Sequence, residues 1–211
     1  MTTMKRLLVL VRHGQSADNE QDLFSGLRDP DLTARGVAEA HAAGQALRGL
    51  GLRFDRAFTS GLRRAQRTLG IILDEIGQPD LATVRDAALN ERDYGELAGL
   101  NKTQARARFG TEQVRIWRKS YHETPPGGES LADTAARVWP FYEREIAPVV
   151  AAGGRALLVG HGNALRSMLM RLDGVDPTSI EEVNIGTAQF LIYAMAEDGG
   201  GLSRVEIAPT A

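Results

Sequence analysis

Two histidine–glycine pairs stand at the ends of apolar runs, Leu7-Leu8-Val9-Leu10-Val11-Arg12-His13-Gly14 and Ala156-Leu157-Leu158-Val159-Gly160-His161-Gly162. Short continuous apolar runs read as strands buried on both faces of a parallel sheet, and open α/β sheets bind ligands just beyond the carboxyl ends of their strands. If the two runs are neighbours, His13 and His161 converge on one small pocket, and the glycines beside them let a ligand approach the backbone. Arg12 precedes the first histidine. Arg63, in Thr59-Ser60-Gly61-Leu62-Arg63, falls in the first turn after a third apolar run, Ala57–Thr59. Two imidazoles and two guanidiniums suit a phosphoryl group, because guanidinium forks match its oxygens and a following helix N-terminus adds backbone donors. Nearby positive charge also keeps an imidazole neutral, and therefore nucleophilic, near pH 7.

One strand-end His-Gly is more often structural than catalytic. The weight lies in the coincidence of two such pairs with a third strand-end arginine. The other histidines act as controls: His41 falls inside a helical pattern and His122 in a polar stretch before Pro125, and both read as structural. Other chemistries lack their parts. The chain has no cysteine, which excludes disulfides, thiolate zinc sites and cysteine nucleophiles. There is no close histidine pair at zinc spacing, and neither a Walker loop, a Gly-x-Gly-x-x-Gly nor a Gly-x-Ser-x-Gly elbow.

The elements that must position these groups follow from periodicity. Arg6 to Val11 reads as the first strand, and Thr33 to Leu50 as a helix with Val37, Ala40, Gly44 and Leu47 on one face. After the Ala57–Thr59 strand, Ser60 is placed to cap a helix bearing Leu62, Ala65, Leu69, Ile72 and Ile76, which Gly77 stops. A strand is expected near Leu81 to Arg85, and short helices around Gln104–Phe109 and Glu112–Tyr121. Ser130-Leu131-Ala132-Asp133 resembles a capping box and opens one long helix through Val149. Arg155 to Gly160 is a buried strand, followed by a helix near Leu165–Leu172. Phe190–Ala196 and Ser203–Ile207 close the chain as strands around Gly199-Gly200-Gly201. Alternating strands and helices predict a three-layer α/β/α sandwich around a mostly parallel sheet, one domain over residues 1–211, with a helical and loop insertion at about 90–128 over the active site.

The 211 residues are 43% hydrophobic and 25% charged, an ordinary globular composition with room for a core. A net charge of −2 without a basic tract gives no electrostatic support for nucleic-acid or membrane-surface partners. No apolar stretch reaches the roughly 20 residues of a membrane helix. The run Met1 to Val11 is too short for a signal peptide and leads into Arg12-His13-Gly14 rather than a cleavage site, so a cytoplasmic location is expected.

Arg12-His13-Gly14-Gln15-Ser16-x-x-Asn19 resembles the signature of the histidine phosphatase superfamily. Within it the chain is most similar to the cofactor-dependent phosphoglycerate mutases, those primed by 2,3-bisphosphoglycerate. The blocks that carry this are Leu89-Asn90-Glu91-Arg92-Asp93-Tyr94-Gly95, Gly99-Leu100-Asn101-Lys102, Glu112 through Lys119, Pro125-Pro126-Gly127-Gly128-Glu129-Ser130 and Gly160-His161-Gly162-Asn163-Ala164-Leu165-Arg166. The resemblance implies an isomerase of glycolysis and gluconeogenesis that exchanges 3- and 2-phosphoglycerate through a phosphohistidine, without a metal. It makes His13 the nucleophile, Glu91 the general acid and base, and Arg12, Arg63 and His161 the groups that neutralise the phosphoryl oxygens. Gly14, Gln15, Ser16, Asn19, Ser25, Gly26, Gly162 and Asn163 would add polar contacts. Arg92, Tyr94, Lys102, Arg118 and Lys119 would hold the substrate's far end, where a phosphoglycerate carries a carboxylate that a simple phosphomonoester lacks.

Departures are also legible. The loop after Pro126 is shorter than in many relatives, so oligomer contacts used elsewhere are in question and a homo-oligomer stays open. Asn184-Ile185-Gly186-Thr187-Ala188-Gln189-Phe190 stands where Pro-Thr-Gly-Val-Pro is usual, Leu27 replaces a common tryptophan, and the tail after Ile207 lacks the lysines that close the pocket in some relatives. Poorer closure would let water compete for the phosphohistidine. Three alternatives stand beside the mutase: a superfamily phosphatase acting on another phosphoester, a bisphosphoglycerate synthase or phosphatase, and a non-catalytic phosphometabolite-binding protein.

Overall fold

Residues 6–207 are described by the computed structural model. The expectations for the tail after Ile207, and for the first five residues of the N-terminal run, lie outside them. Strands β1 (Leu7–Arg12), β2 (Arg56–Thr59), β3 (Thr83–Arg85), β4 (Arg155–Gly160), β5 (Phe190–Met195) and β6 (Leu202–Val205) form a sheet in the order β3-β2-β4-β1-β5-β6. The first four run parallel; β5 lies antiparallel against β1, and β6 antiparallel against β5, so that only β5 runs against the rest.

Strand alternation divides β1 between two cores. Leu7, Val9 and Val11 pack with Leu47, Leu69 and Ile72 of α2 (Ala34–Gly49) and α3 (Arg63–Glu75). Leu8 and Leu10 face the other way, against Val138, Leu165 and Met168 of α6 (Leu131–Phe141) and α8 (Gly162–Leu172). Helices thus cover both faces of the sheet. A third cluster, Phe24, Leu97, Ala105 and Val114, packs the inserted α4 (Lys102–Phe109) and α5 (Thr111–Lys119) beside the sheet.

Two local expectations are corrected. The long helix from Leu131 is broken: α6 ends at Phe141, a π turn spans Tyr142–Ile146, and α7 (Ala147–Ala151) follows. Pro140 and Pro148 lack the N–H that a regular ladder needs, which explains the break. Ser60 is not the cap of α3, whose N-cap is Leu62; its hydroxyl instead accepts the Leu62 N–H at 3.1 Å and meets a histidine. The Ser130–Asp133 capping box is present as expected.

Candidate active site

Parallel pairing of β1 with β4 sets Arg12 opposite Gly160, so the residues that follow, His13 and His161, emerge side by side. Their ring centroids are 5.0 Å apart. The nitrogen roles of His13 can be assigned from its partners. Nδ1 lies 2.7 Å from the Gly14 carbonyl, which can only accept, so Nδ1 carries the proton. Nε2 is then the free lone pair, and the Arg64 Nε–H donates to it at 3.3 Å. Burial, followed by the charges of Arg64 and Arg12, holds the His13 pKa well below 6.5 against the opposing Gly14 hydrogen bond. His13 is therefore a neutral imidazole with its nucleophilic nitrogen turned toward guanidinium.

His161 is fully buried. Its Nε2 lies 2.7 Å from Ser60 Oγ, while its Nδ1 has no partner. Because Ser60 Oγ already accepts from Leu62, its own proton is free to go to Nε2. In the tautomer where Ser60 donates to Nε2, Nδ1 carries the proton and is a donor without a protein partner. Burial, then Arg64, His13 and Arg12, keeps the His161 pKa well below 6.5.

The arginine expected at 63 is corrected to its neighbour. Arg63 is exposed and lies 4.0 Å from Asp29, whereas Arg64 is 1% exposed and donates to the Gly26 and Arg28 carbonyls at 3.0 and 2.7 Å as well as to His13. One residue along a helix is a turn of about 100°, enough to exchange solvent for the pocket. Arg12 donates to the Ile185 carbonyl at 2.5 Å and keeps an unpaired buried Nε.

Glu91 reaches the same cavity, of about 160 Å³, from the loop after β3. Its Oε1 accepts the backbone N–H of Arg92 at 2.8 Å and that of Asn163 at 3.1 Å. Asn19, Ser25, Gly26, Tyr94, Lys102, Arg118, Lys119, Gly162 and Asn163 line the cavity, as do Arg64 and Arg166. The Asn19 Oδ1 is held by the Ser16 N–H at 3.2 Å in a reciprocal capping box, so its NH₂ is what it can offer a ligand. Ser25 Oγ is buried without a partner.

Gly14, Gln15, Ser16 and Arg92 stand behind the lining. Gly14 is small for a reason other than ligand access: a Cβ there would lie 2.3 Å from the Gly36 carbonyl of α2. The Gln15 side chain bonds Thr33 at 2.8 Å, and Ser16 caps α1 (Ala17–Glu20). Arg92 is fully buried, with its guanidinium 4.6 Å from the Tyr94 ring centroid and Nε and Nη1 unpaired. Burial pushes the Tyr94 hydroxyl up, but Arg92 and Asn163 outweigh it and the net shift is downward.

Lys119 donates to the Glu181 carbonyl and to Asn184 Oδ1 at 3.0 and 2.9 Å, and burial, Arg166 and Arg118 pull its pKa down. Lys102 pairs with Asp22. Against Arg12, Arg64, Lys102, Arg118, Lys119 and Arg166, the lining contains one carboxylate, Glu91. Such a surplus of desolvated positive charge calls for a polyanion. Among the described residues no group of three or more His, Asp or Glu side chains is placed to hold a metal ion.

Arg64 and Arg166 were not among the residues expected from sequence. The altered Gly186–Phe190 segment nevertheless supports the nucleophile: the Ala188 N–H donates to the His13 carbonyl at 3.2 Å and the Arg12 N–H to the Gln189 carbonyl at 3.1 Å. His41 pairs with Glu75 at 2.8 Å on the surface, away from this cavity.

The family profile described as "Histidine phosphatase superfamily (branch 1)" matches residues 8–208. A 2,3-bisphosphoglycerate-dependent phosphoglycerate mutase of Methylobacterium sp. (strain 4-46) is 57% identical over 195 residues, 92% of this chain and 94% of that protein. One of the same description from Mesorhizobium japonicum is 56% identical over 92% of this chain and 95% of its own. Among solved structures, a mycobacterial glucosyl-3-phosphoglycerate phosphatase complexed with VO3 superposes with a TM-score of 0.80 at 25% identity, covering 98% of this chain and all of that one. YhfR of Bacillus stearothermophilus, at 21% identity, shares the fold with a TM-score of 0.82 over 97% of this chain and 98% of its own.

Proposed function

We propose that this chain, which belongs to the histidine phosphatase superfamily, interconverts 3-phosphoglycerate and 2-phosphoglycerate through a phosphohistidine on His13 primed by 2,3-bisphosphoglycerate. The single observation that carries the reading is the pairing of two features in one cavity. A neutral His13 has Nε2 beside Arg64, and a second cationic group, Lys102, Arg118 and Lys119, stands ready for the carboxylate end of the substrate.

Priming forms an N–P bond at His13 Nε2 as a P–O bond of the bisphosphate breaks; Glu91 gives its proton to the leaving oxygen, and the monophosphoglycerate departs. The C2 hydroxyl oxygen of bound 3-phosphoglycerate then attacks that phosphorus, the P–N bond breaks, and Glu91 takes the hydroxyl proton. The resulting bisphosphate reorients and presents its other phosphate to Nε2. A new N–P bond forms, the O3–P bond breaks, and Glu91 returns the proton to O3, releasing 2-phosphoglycerate. Arg12, Arg64 and the Nδ1–H of His161 stabilise the charge on the phosphoryl oxygens in both transfers, electrostatic work that is usually the largest contribution in phosphoryl transfer. A positioned acid and base adds typically about 10²–10⁴ in rate. The cation arrangement favours the mutase over hydrolysis of a simple monoester, because far-end cations recognise a carboxylate that such an ester lacks. We place the activity in the cytoplasm; among the described residues no helix is long and apolar enough to cross a membrane.

The test is incubation with 3-phosphoglycerate and a chelator, with and without catalytic 2,3-bisphosphoglycerate, measuring 2-phosphoglycerate and free phosphate. Primer-dependent isomerisation that survives the chelator supports the proposal. Phosphate release alone identifies a phosphatase, and neither product identifies a binding protein.

A further inference from the structure

Arg166 occupies an unusual place for a charge. It lies on α8, one turn beyond Asn163, and is 6% exposed. Its hydrogen-bond partners are all neutral oxygens: Asn163 Oδ1 at 2.9 Å through Nη1, and the Lys119 and Ile180 carbonyls at 3.1 and 2.7 Å through Nη2. Burying a cation without a counter-ion is costly. Burial together with Arg92 draws its pKa down to about 10, which leaves it charged at neutral pH.

We infer that Arg166 is a positioning residue that sets the direction of the Asn163 side-chain amide and, through it, the proton of the Tyr94 hydroxyl facing the substrate. The argument is one of donor and acceptor identity. A guanidinium can only donate, so the Asn163 atom facing it must be Oδ1. Nδ2 is thereby aimed at Tyr94 Oη, 3.2 Å away, and donates to it. Having accepted there, Tyr94 retains its own proton for an oxygen in the cavity that it lines. Without Arg166 the amide can turn over and offer Oδ1 to Tyr94, which would draw the phenolic proton away from the ligand. The same guanidinium holds the main chain of Lys119, so both consequences fall on the end of the substrate remote from His13. This inference rests on the phosphoglycerate reading.

The test compares wild type, Arg166→Met, Tyr94→Phe and the double variant in primer-dependent isomerisation, with phenyl phosphate as a control ester that has no carboxylate. Arg166→Met is expected to raise KM for 3-phosphoglycerate about tenfold, on the scale of one hydrogen bond. Its kcat should fall less than threefold, and phenyl phosphate turnover should fall less than threefold. In the Tyr94→Phe background the same change should raise KM by less than threefold, because the two residues act along one chain of hydrogen bonds. A kcat loss shared equally by both esters, or KM effects that multiply, would overturn the inference and leave a purely structural arginine. Should Arg166→Met fail to fold, Asn163→Asp keeps a partner for Arg166 while its ionised carboxylate cannot donate to Tyr94. A comparable KM rise there supports the inference, and a KM within twofold of wild type overturns it. Failure of wild type to isomerise overturns the parent reading and this inference together, whereas failure confined to the variants overturns this inference alone.

Discussion

Arg64 Nε lies 3.3 Å from His13 Nε2, so a buried guanidinium donates to the very nitrogen that must take up a phosphoryl group. When phosphorus occupies that lone pair, the same N–H loses its acceptor and is left beside the new phosphoryl oxygens. Arg64 is thus arranged to hold the free nucleophile in place and to stabilise its phosphorylated form.

The first prediction separates two adjacent arginines. Arg64→Met should lower kcat about 10²–10³-fold, the usual loss when one preorganised donor to a transition-state oxygen is removed. Arg63→Met should change it less than twofold, since Arg63 lies on the surface beside Asp29. Steady-state kinetics of both variants decide this, and equal losses would count against Arg64 as the inward residue.

Acid sensitivity follows from the two histidines, whose pKa values burial and then neighbouring arginines hold well below 6.5. Below that pH the unfolded chain binds protons at both positions that the folded chain refuses, so folding stability must fall as pH drops. Each site contributes a slope of at most about 1.4 kcal/mol per pH unit, beginning at the unfolded value and ending at the folded one. At pH 6.5 about half of that slope is present, and it fades over roughly the next pH unit as the unfolded histidines lose their protons. Thermal melting from pH 7 to pH 5 should show the decline, and His161→Asn should flatten it; an unchanged slope in that variant would show that the histidine is not buried neutral.

Ser60→Ala tests the assignment of the His161 tautomer. Removing the hydroxyl 2.7 Å from Nε2 leaves the proton free to sit on either nitrogen. Transfer should slow about 3- to 10-fold, the worth of one net hydrogen bond, with KM little changed. A rise in KM without loss of kcat would place His161 outside the transferring end of the pocket.

Gly14→Ala should destabilise the fold by about 1–3 kcal/mol, as overpacking typically does. The added Cβ meets a backbone carbonyl of α2 at 2.3 Å, which cannot rotate aside as a side chain could. Denaturant unfolding measures this directly, and a neutral outcome would mean that α2 is free to move away from the nucleophile's turn.

Much of this was readable in the residues. The apolar runs before His13 and His161 had to be buried strands, and their parallel pairing brought the imidazoles together. Arg64 was hidden by one residue of register, since the choice between neighbours depends on where β2 stops and α3 begins. A wheel of α3 holds the signal: Arg64 shares a face with Thr68 and Ile72, both buried, and Arg63 lies over exposed Arg67 and Gly70. Arg166 was concealed differently, as a lone charge among Ala164, Leu165, Met168 and Leu169 of α8, with two of its three acceptors, the Lys119 and Ile180 carbonyls, supplied from outside that helix. The break after Phe141 was available from Pro140 and Pro148, but a sustained apolar period outweighed them.

The central claim is most directly tested by locating the phosphate. The protein is labelled with 2,3-bisphosphoglycerate, and the site of the acid-labile group is read by peptide mass spectrometry and by phosphorus–proton correlation NMR. One phosphate on Nε2 of His13, absent from His13→Asn, is the predicted result. A label on His161, on Nδ1 of His13, or surviving in His13→Asn would contradict it.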